Sequence, residues 1–278
     1  MNTPLASNRV SLRDRINMYT VAARQAILEQ LQYRLANMLF MVHLLIEPVI
    51  YLVVWTTIAN AQGGSVGGYT AAQFAGYYII WTLVRQFNLS LGPQSFSWRI
   101  KEGRLAAELL RPVHPILVDI GYYLGYKVTA TMYWLPVGAL LWLVFRPEIQ
   151  PVLWQVAAFP LALMLAFFIR FALLWLLGLV CFWTERVDAL FELYFTLELL
   201  LSGRLVPLEI MPHWAQSIAN FAPFQWTFYF PIEILLGRTG VNEFLRGFGT
   251  QILWVVICYG LVLLVWKRAV KHFTAVGG

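Results

Sequence analysis

Charged residues are scarce in this 278-residue chain: they make up 12% of it, whereas hydrophobic residues make up 60%. A soluble domain carries about 25% charged residues, so this chain has too few of them to cover its apolar surface in water. The same apolar excess excludes a disordered chain. Cysteine is scarce as well, and its two residues, Cys181 and Cys258, exclude a disulfide scaffold. The composition therefore predicts an integral membrane protein.

The motifs of several enzyme classes are also missing from the sequence. A P-loop ATPase needs a glycine-rich turn followed by Lys and then Ser or Thr, but the glycine-rich stretch 63–68 is followed by Tyr69. The four histidines lack the paired spacing of a zinc site, and no Ser–His–Asp pattern stands out. We therefore predict a protein that is not an enzyme, with no catalytic residues and with no metal or cofactor of its own.

Long apolar runs dominate the chain instead. A hydrocarbon core about 30 Å thick is crossed by roughly 20 apolar helical residues. We predict six spans, at about 38–59, 71–91, 118–145, 152–183, 189–206 and 248–266. The predicted fold is therefore an all-α integral membrane protein, in which residues 37–278 form a six-span domain.

The apolar stretch 207–236 differs from these runs because Pro207, Pro212, Pro223 and Pro231 interrupt it. Prolines at such intervals do not support one straight spanning helix. Irregular backbone is tolerated at membrane depth where other parts of the protein cover it. We therefore predict a re-entrant pair of short helices that enters the outer half of the bilayer before the last span.

The N-terminal segment 1–36 is basic and contains no long apolar run. Its apolar residues recur every three or four positions from Leu12 to Ile27, by way of Ile16, Tyr19 and Ala23. This spacing predicts an amphipathic helix that lies along the membrane surface.

Basic residues concentrate on one side of the predicted spans. Most of the 20 Lys and Arg lie in the segment 1–36, in the segment after the second span and at the C-terminus. Because cytoplasmic loops carry the basic excess, both termini are predicted to be cytoplasmic. Topology thus explains the excess, and we predict contact with membrane lipid and none with nucleic acid.

The segment 97–115 lies on the predicted cytoplasmic side and contains about two helical turns between Gly103 and Pro112. These turns carry charges of both signs together with Leu105, Leu109 and Leu110. Such an amphipathic helix can fit into a groove on another protein. A helix resting on the membrane would show the same pattern, so the sequence leaves both interpretations open.

Several charged residues fall within predicted spans, where each costs at least about 2.5–3.5 kcal/mol at mid-depth. They are Arg85, Lys127, Arg170, Glu47, Asp119, Glu192 and Glu198. Such residues either pair with one another as structural elements or line a translocation path. Our candidates for the path are Glu47, Arg85, Arg170, Glu192 and Glu198. His43 and Glu47, four residues apart, form either a proton pair or two polar sites satisfied by a neighbouring helix.

Three features combine into a recognisable pattern. One is the amphipathic N-terminal helix, and another is the stretch Glu102-Gly103-Arg104…Leu109-Leu110-Arg111-Pro112. The most specific is the stretch 203–237, with Gly203-Arg204-Leu205-Val206-Pro207-Leu208-Glu209, Pro212, Trp214, Ala219-Asn220, Pro223-Phe224, Tyr229, Pro231 and Glu233-Ile234-Leu235-Leu236-Gly237. With these features the chain resembles a permease of the ABC type-2 class, the six-span subunit of ATP-driven exporters, in a bacterial subgroup of largely unassigned substrate.

The resemblance implies a complex in the bacterial cytoplasmic (inner) membrane. It implies a second permease subunit, identical or related, and two copies of a cytoplasmic ATPase subunit that bind ATP and Mg²⁺. ATP binding would push on the permease through the N-terminal surface helix and the helix 104–111, with the loop 184–189 as another contact. The residues assigned to this coupling are Arg99, Lys101, Glu102, Arg104, Leu105, Glu108, Leu109 and Arg111. The re-entrant pair would close the outer end of the path, through Arg204, Pro207, Glu209, Pro223, Pro231 and Glu233.

The substrate class follows less directly. An aromatic-rich interior with few charges suits an amphipathic lipid, drug-like molecule or peptide, although aromatic residues also populate interfacial belts. The alternative function is an ion-coupled secondary transporter or channel subunit. Such proteins often have interrupted helices in matching positions of two halves, whereas this chain has a proline-rich interruption before its last span alone. An intramembrane enzyme is a third class, which no motif supports.

Overall fold

The computed structural model describes residues 12–92, 94–111, 113–184 and 187–272, and this part of the chain is mostly helical. The α-helices are α1 (Leu12–Gln32), α2 (Arg34–Ala61), α3 (Ala71–Phe87), α4 (Gln94–Lys101), α5 (Arg104–Leu109), α6 (Pro115–Phe145), α7 (Leu153–Leu179), α8 (Asp188–Leu201), α9 (His213–Phe221), α10 (Tyr229–Leu236) and α11 (Val241–His272). Short 3-10 turns lie at Val180–Phe182, Leu208–Ile210 and Phe224–Trp226. A two-stranded antiparallel hairpin of β1 (Ser65–Val66) and β2 (Tyr69–Thr70) follows α2.

Four helices in the described ranges are long and apolar enough to cross a membrane: α2, α6, α7 with its 3-10 turn, and α11. They correspond to the first, third, fourth and sixth predicted spans. Helices α3 and α8 fall on the other two predicted spans, with 17 and 14 residues. Helix α3 ends at Phe87, before the predicted boundary, and an irregular segment separates it from α4. Helix α11 begins at Val241, earlier than predicted, where the Glu243 carboxylate accepts the Gly240 N–H at 2.9 Å.

Helix α1 packs along α6 through small residues on both helices. Ala22 and Ala26, one turn apart on α1, are buried. Gly121 and Gly125 have the same spacing on α6, and a Cβ at Gly125 would collide with the α1 backbone. This is the small-residue packing by which membrane helices approach closely. Ile16 belongs to the predicted apolar stripe but is 52% exposed. The close backbone contact with α6 favours the small alanines over larger side chains at this interface.

Helix α7 lies at the centre of the bundle and packs against α3, α10 and α11. Near its end, Gly178 leaves a space that the Phe96 ring of α4 fills, and this ring lies 4.9 Å from the Trp175 ring. The ends of α7 and α11 meet here as well, with Phe182 against Trp266. We call this region the α5 end of the bundle. The opposite end, which contains β1 and β2 and the connections into α7 and α11, is called the hairpin end.

The irregular backbone between α8 and α10 is held inside the protein by polar side chains. Tyr77 and Tyr78 of α3 donate to the Gly203 and Leu205 carbonyls at 2.7 and 2.8 Å. At the other end of the segment, the side-chain amides of Asn88 and Gln251 donate to the Thr227 and Trp226 carbonyls, respectively. Carbonyl groups that a helix would have satisfied internally are thereby paired.

Candidate functional site

Three arginines and two glutamates meet in the interior of the bundle. They are Glu47 of α2, Arg85 of α3, Arg170 of α7, Glu198 of α8 and Arg204 in the segment after α8. We call this group the central cluster. Two carboxylates cannot neutralise three guanidinium groups, so the cluster carries an excess positive charge.

Glu198 is the fully buried anchor of the central cluster. Its carboxylate accepts two hydrogen bonds from Arg170, at 2.7 and 3.1 Å, and one from Arg204 at 3.1 Å. The Tyr194 hydroxyl, one turn earlier on α8, donates to it at 3.0 Å. Arg170 also donates to the Asn88 carbonyl at 2.8 Å. Bidentate pairing of this kind fixes the position of the guanidinium group as well as its charge.

Glu47 forms the second half of the central cluster. Its two oxygens lie 2.9 Å from Arg85 and 3.3 Å from Arg204, so Arg204 bridges the two glutamates. Arg85 and Arg204 therefore satisfy Glu47, as the second interpretation of the His43–Glu47 spacing predicts, but that interpretation holds for Glu47 alone. His43 itself is exposed, near the Phe40 ring.

A cavity of about 320 Å³ borders the central cluster. All three of its arginines line this cavity, together with Phe195, Phe228 and the irregular segment 89–92 between α3 and α4. Lys127 of α6 donates to the Leu89 carbonyl at 2.8 Å and so ties this segment to α6. Helix α3 therefore ends at a polar cavity.

The structure brings four of the five predicted path residues together, as ion pairs. The fifth, Glu192, is exposed on α8 and lies outside the central cluster. Arg204, which we predicted at the outer gate, also belongs to this cluster. Gly203, with a φ of +79°, turns the chain after α8, and the Arg204 side chain contacts Glu198. In the sequence, a glycine followed by an arginine at the end of an apolar run was the pattern that could have indicated this turn.

The predicted coupling residues at the α5 end divide into two groups. In the first group, Arg99 binds Asp119 of α6 through two hydrogen bonds, and the Trp175 indole donates to the same carboxylate at 2.9 Å. Leu105 is fully buried, and Glu108 lies 3.7 Å from Arg99. Burial raises the pKa of the Glu108 carboxyl. These residues attach α4 and α5 to α6 and α7.

The second group faces away from the bundle. Lys101, Glu102, Arg104 and Arg111 are exposed, and the Arg104 guanidinium lies 4.0 Å from the centre of the Trp98 ring. Gly103, whose φ is +67°, makes the turn between α4 and α5, as its position in the sequence suggested. Leu109 is half-buried. Pro112, the predicted end of these helical turns, lies outside the described residues. So do residues 185 and 186 of the predicted loop contact with the ATPase.

A second charged group, the hairpin-end cluster, consists of Tyr69, Glu209, Glu233 and Arg238. The Tyr69 hydroxyl oxygen lies 3.0 Å from Glu209 and 2.9 Å from Glu233. Arg238 donates to Glu233 at 3.1 Å and lies over the Tyr69 ring at 3.9 Å. Burial and the neighbouring Glu209 raise the pKa of Glu233 to about 8. A protonated Glu233 is consistent with two carboxyl groups sharing one hydroxyl.

The three prolines assigned to the outer gate stand where elements begin. Pro207 precedes one 3-10 turn, Pro223 precedes another, and Pro231 lies in the first turn of α10. A missing N–H has little consequence at such positions. The predictions from sequence missed Tyr69 and Arg238, because the elements that bring them to Glu233 are distant along the chain.

Comparison with known families identifies the kind of protein to which this arrangement belongs. In the described ranges, no group of three or more His, Cys, Asp or Glu is placed to hold a metal ion. A search among curated proteins gives no match. The family model described as "ABC-2 family transporter protein" matches residues 45–277, which cover α3 to α11 and most of α2. The chain therefore belongs to the ABC-2 family of transporter proteins and is a multi-pass membrane permease of the ABC class.

Proposed function

We propose that this chain is one of two permease subunits of an ATP-driven exporter of the bacterial cytoplasmic membrane, powered by a pair of separate ATPase subunits. The family match over residues 45–277 carries this proposal, because ABC-2 permeases work with ATPase partners. The substrate we propose is amphipathic: a lipid, a drug-like molecule or a peptide. ATP and Mg²⁺ would bind to the ATPase subunits.

In this proposal the α5 end faces the cytoplasm and the chain crosses the membrane six times. Four crossings are the long apolar helices. The second would combine α3 and α4, with the irregular segment 88–92 after α3, and the fifth would combine α8 with the segment that follows it. Irregular backbone suits membrane depth when protein covers it or a cavity adjoins it, and the segment 89–92 lines the central cavity.

The re-entrant pair would consist of α9 and α10. Glu209, before α9, and Gly237, after α10, both lie at the hairpin end, near Tyr69 and Gln150. Between the two helices, Thr227 accepts a hydrogen bond from Asn88, beside the central cluster. A chain that leaves one end, reaches the interior and returns has the course of a re-entrant pair. We propose that it closes the outer end of the path.

Coupling to the ATPase would use the exposed side of the α4–α5 turn. Lys101, Glu102, Arg104 and Arg111 present charges of both signs to the cytoplasm, as required for a polar contact with another subunit. Behind them, the Arg99–Asp119–Trp175 connection joins α4 to α6 and α7. A displacement of α5 would thus reach α7, which carries Arg170 of the central cluster.

A second permease subunit would cover the exposed side of α8. This side carries Glu192 and Thr196 between Leu193 and Leu197, all exposed. A carboxylate facing lipid is unfavourable, whereas one facing a protein partner or a polar path is not. The two α8 helices would then face each other beside the path.

The coupling assignment is tested by charge reversal. We expect Arg104→Glu with Arg111→Glu to reduce severalfold the amount of ATPase subunit that co-purifies with the permease. The matched control is Lys267→Glu with Arg268→Glu, which makes the same charge change on exposed residues of α11 at the same end. Equal recovery of the ATPase from the wild type and both variants would contradict the assignment.

The proposed class is tested by transport in vesicles. An ABC permease should move its substrate only when the ATPase subunits and ATP are present. Full transport by the chain alone, driven by an ion gradient, would instead establish the alternative, a secondary transporter or channel subunit.

The second permease is tested by cysteine crosslinking. In a chain with Cys181→Ser and Cys258→Ser, we expect Thr196→Cys on α8 to crosslink two permeases in membranes. Val256→Cys, exposed on α11, is the control that should remain uncrosslinked. Crosslinking of α11 in preference to α8 would place the subunit contact elsewhere.

A further inference from the structure

The cavity beside the central cluster is lined by cations. Arg85, Arg170 and Arg204 belong to its lining, whereas Glu47 and Glu198 do not. Both glutamates are already engaged by these arginines. Because a buried charge is unfavourable without a counter-charge, one further anion in the cavity would balance the cluster.

Two of the lining residues have hydrogen-bond donors without a partner among the described residues. They are the Nε of Arg204 and the hydroxyl of Ser90, and both atoms are buried. Leaving a buried donor unpaired is unfavourable, so such atoms commonly mark the position of a bound group. A phosphate or carboxylate has several acceptor oxygens and could accept from both donors.

The guanidinium groups are held in place before any ligand arrives. Glu198 and the Asn88 carbonyl position Arg170, and the two glutamates together position Arg204. A guanidinium group matches the geometry of carboxylate and phosphate oxygens in a way that an ammonium group does not. Pre-positioned donors lower the entropic cost of binding.

The remaining walls of the cavity are apolar. Leu91, Phe195 and Phe228 adjoin the arginines, with the Phe228 ring centre 5.7 Å from both Arg170 and Arg204. The volume of about 320 Å³ is at the lower end of the range of small-molecule sites, about 300–1,000 Å³. This space suits an anionic group together with the first part of an apolar chain.

We propose that the central cavity binds the phosphate or carboxylate group of an anionic amphipathic molecule, between Arg85, Arg170, Arg204 and Ser90. The proposal rests on the proposed function in one respect: this molecule would be the substrate that the permease carries.

Binding can be measured on the purified full-length chain in a neutral maltoside detergent. The probes are dodecyl phosphate and dodecanoate, with zwitterionic dodecyl phosphocholine as the control of equal chain length and inorganic phosphate as the free ion. We expect saturable binding of the two anionic amphiphiles and at least about tenfold weaker binding of the zwitterion, the difference that one charge-assisted hydrogen bond makes.

Two conservative variants locate the site. Arg204→Lys keeps the positive charge but removes the planar set of guanidinium N–H donors. Ser90→Ala removes one hydroxyl donor with almost no change in side-chain volume. We expect Arg204→Lys to weaken the binding of dodecyl phosphate about tenfold and Ser90→Ala to weaken it less. The matched control is Arg238→Lys at the hairpin end, which pairs with a glutamate but lies outside this cavity and should leave the affinity unchanged.

Two results would overturn the proposal: equal affinity for the anionic and zwitterionic probes, or unchanged affinity in both cavity variants. Inorganic phosphate that binds as tightly as dodecyl phosphate, with the same response to the variants, would overturn the amphipathic ligand and support a free anion. The measurement needs neither ATP nor the ATPase subunit. Failed capture of the ATPase would therefore contradict the proposed function while leaving the anion site intact. Failed binding of the anionic probes would contradict the anion site while leaving the proposed function intact.

Discussion

The two charged clusters of this protein are built from the same residue types but have opposite charge imbalances. The central cluster sets three arginines against two glutamates, whereas the hairpin-end cluster sets Glu209 and Glu233 against Arg238. In the central cluster every glutamate oxygen lies close to an arginine. In the hairpin-end cluster two carboxyl groups share Tyr69 and one arginine, and the pKa of Glu233 rises to about 8.

This difference shows that the ratio of cations to carboxyl groups decides whether a buried carboxyl group is held in its charged form or favoured in its neutral form. Where cations outnumber anions, the carboxylate is an anchor whose removal leaves unpaired buried charge. Where carboxyl groups outnumber cations, one of them is favoured in its neutral form, and its environment becomes sensitive to pH. The same substitution, glutamate to glutamine, should therefore have different consequences in the two clusters.

The largest expected effect is that of Glu198→Gln. The substitution leaves Arg170 and Arg204 without a full counter-charge in the interior, so the free energy of unfolding should fall by about 3–5 kcal/mol. Thermal unfolding of the purified chain in detergent measures it. The matched control is Glu192→Gln on the exposed side of the same helix, which should change stability by less than about 0.5 kcal/mol. Similar effects of the two would contradict the anchoring role of Glu198.

The next effect concerns Gly203, which turns the chain back to the central cluster. Gly203→Ala should lower the free energy of unfolding by about 2–4 kcal/mol, from the left-handed backbone and from overpacking. A Cβ there would lie 2.6 Å from the Tyr77 hydroxyl and 2.9 Å from Tyr229. Gly68 has a similar φ, +82° against +79°, and open space around it, so Gly68→Ala should cost about 1 kcal/mol. An equal loss of unfolding free energy in the two variants would contradict a role for the close contacts around Gly203.

A smaller effect distinguishes the hairpin-end cluster through pH. Because the pKa of Glu233 is raised to about 8 from its ordinary value of 4.5, the unfolded chain releases this proton at lower pH than the folded chain. The stability that Glu233 contributes should therefore be fully present below pH 4.5 and should be lost as the pH rises towards 8, by at most about 1.4 kcal/mol per pH unit. Glu233→Gln should flatten this part of the profile in thermal unfolding. A variant with the slope of the wild type would rule out Glu233 as its source.

The smallest effect is a shift of the pH range over which this stability is lost. Glu209 raises the pKa of Glu233 by charge repulsion, so Glu209→Gln should move the upper end of the stability loss to lower pH. The pH profile of the melting temperature measures this shift. Glu148→Gln, in the connection between α6 and α7, is the control with an equal loss of charge at the same end of the bundle, and its profile should match the wild type.

Much of the fold followed from local patterns in the sequence. Apolar runs predicted the helices α2, α3, α6, α7, α8 and α11, and Gly103 correctly marked the turn between α4 and α5. The boundaries that were missed depend on contacts. Helix α3 ends early beside a cavity, and the small-residue face of α1 became evident only against Gly121 and Gly125 of α6.

The sites were less predictable than the helices. Glu47, Arg85, Arg170 and Glu198 stood out because charge within an apolar run is unusual. Arg204 was predicted at the outer gate, and its place in the central cluster could not be predicted because it depends on the turn at Gly203. At the α5 end, the sequence could not separate Arg99, which binds Asp119, from Arg104, which is exposed, because both are basic residues in one amphipathic segment.

The sequence by itself determined the membrane class, the helical segments and the family pattern, because hydrophobicity and periodicity are properties of neighbouring residues. Only the tertiary structure decided which charges meet. Arg204 and Glu47 are 157 residues apart in the chain, and Tyr69 and Glu233 are 164 apart. Contacts at such separations depend on how helices turn and pack, so the excess of arginine in one cluster and of carboxyl groups in the other arises only in the folded protein.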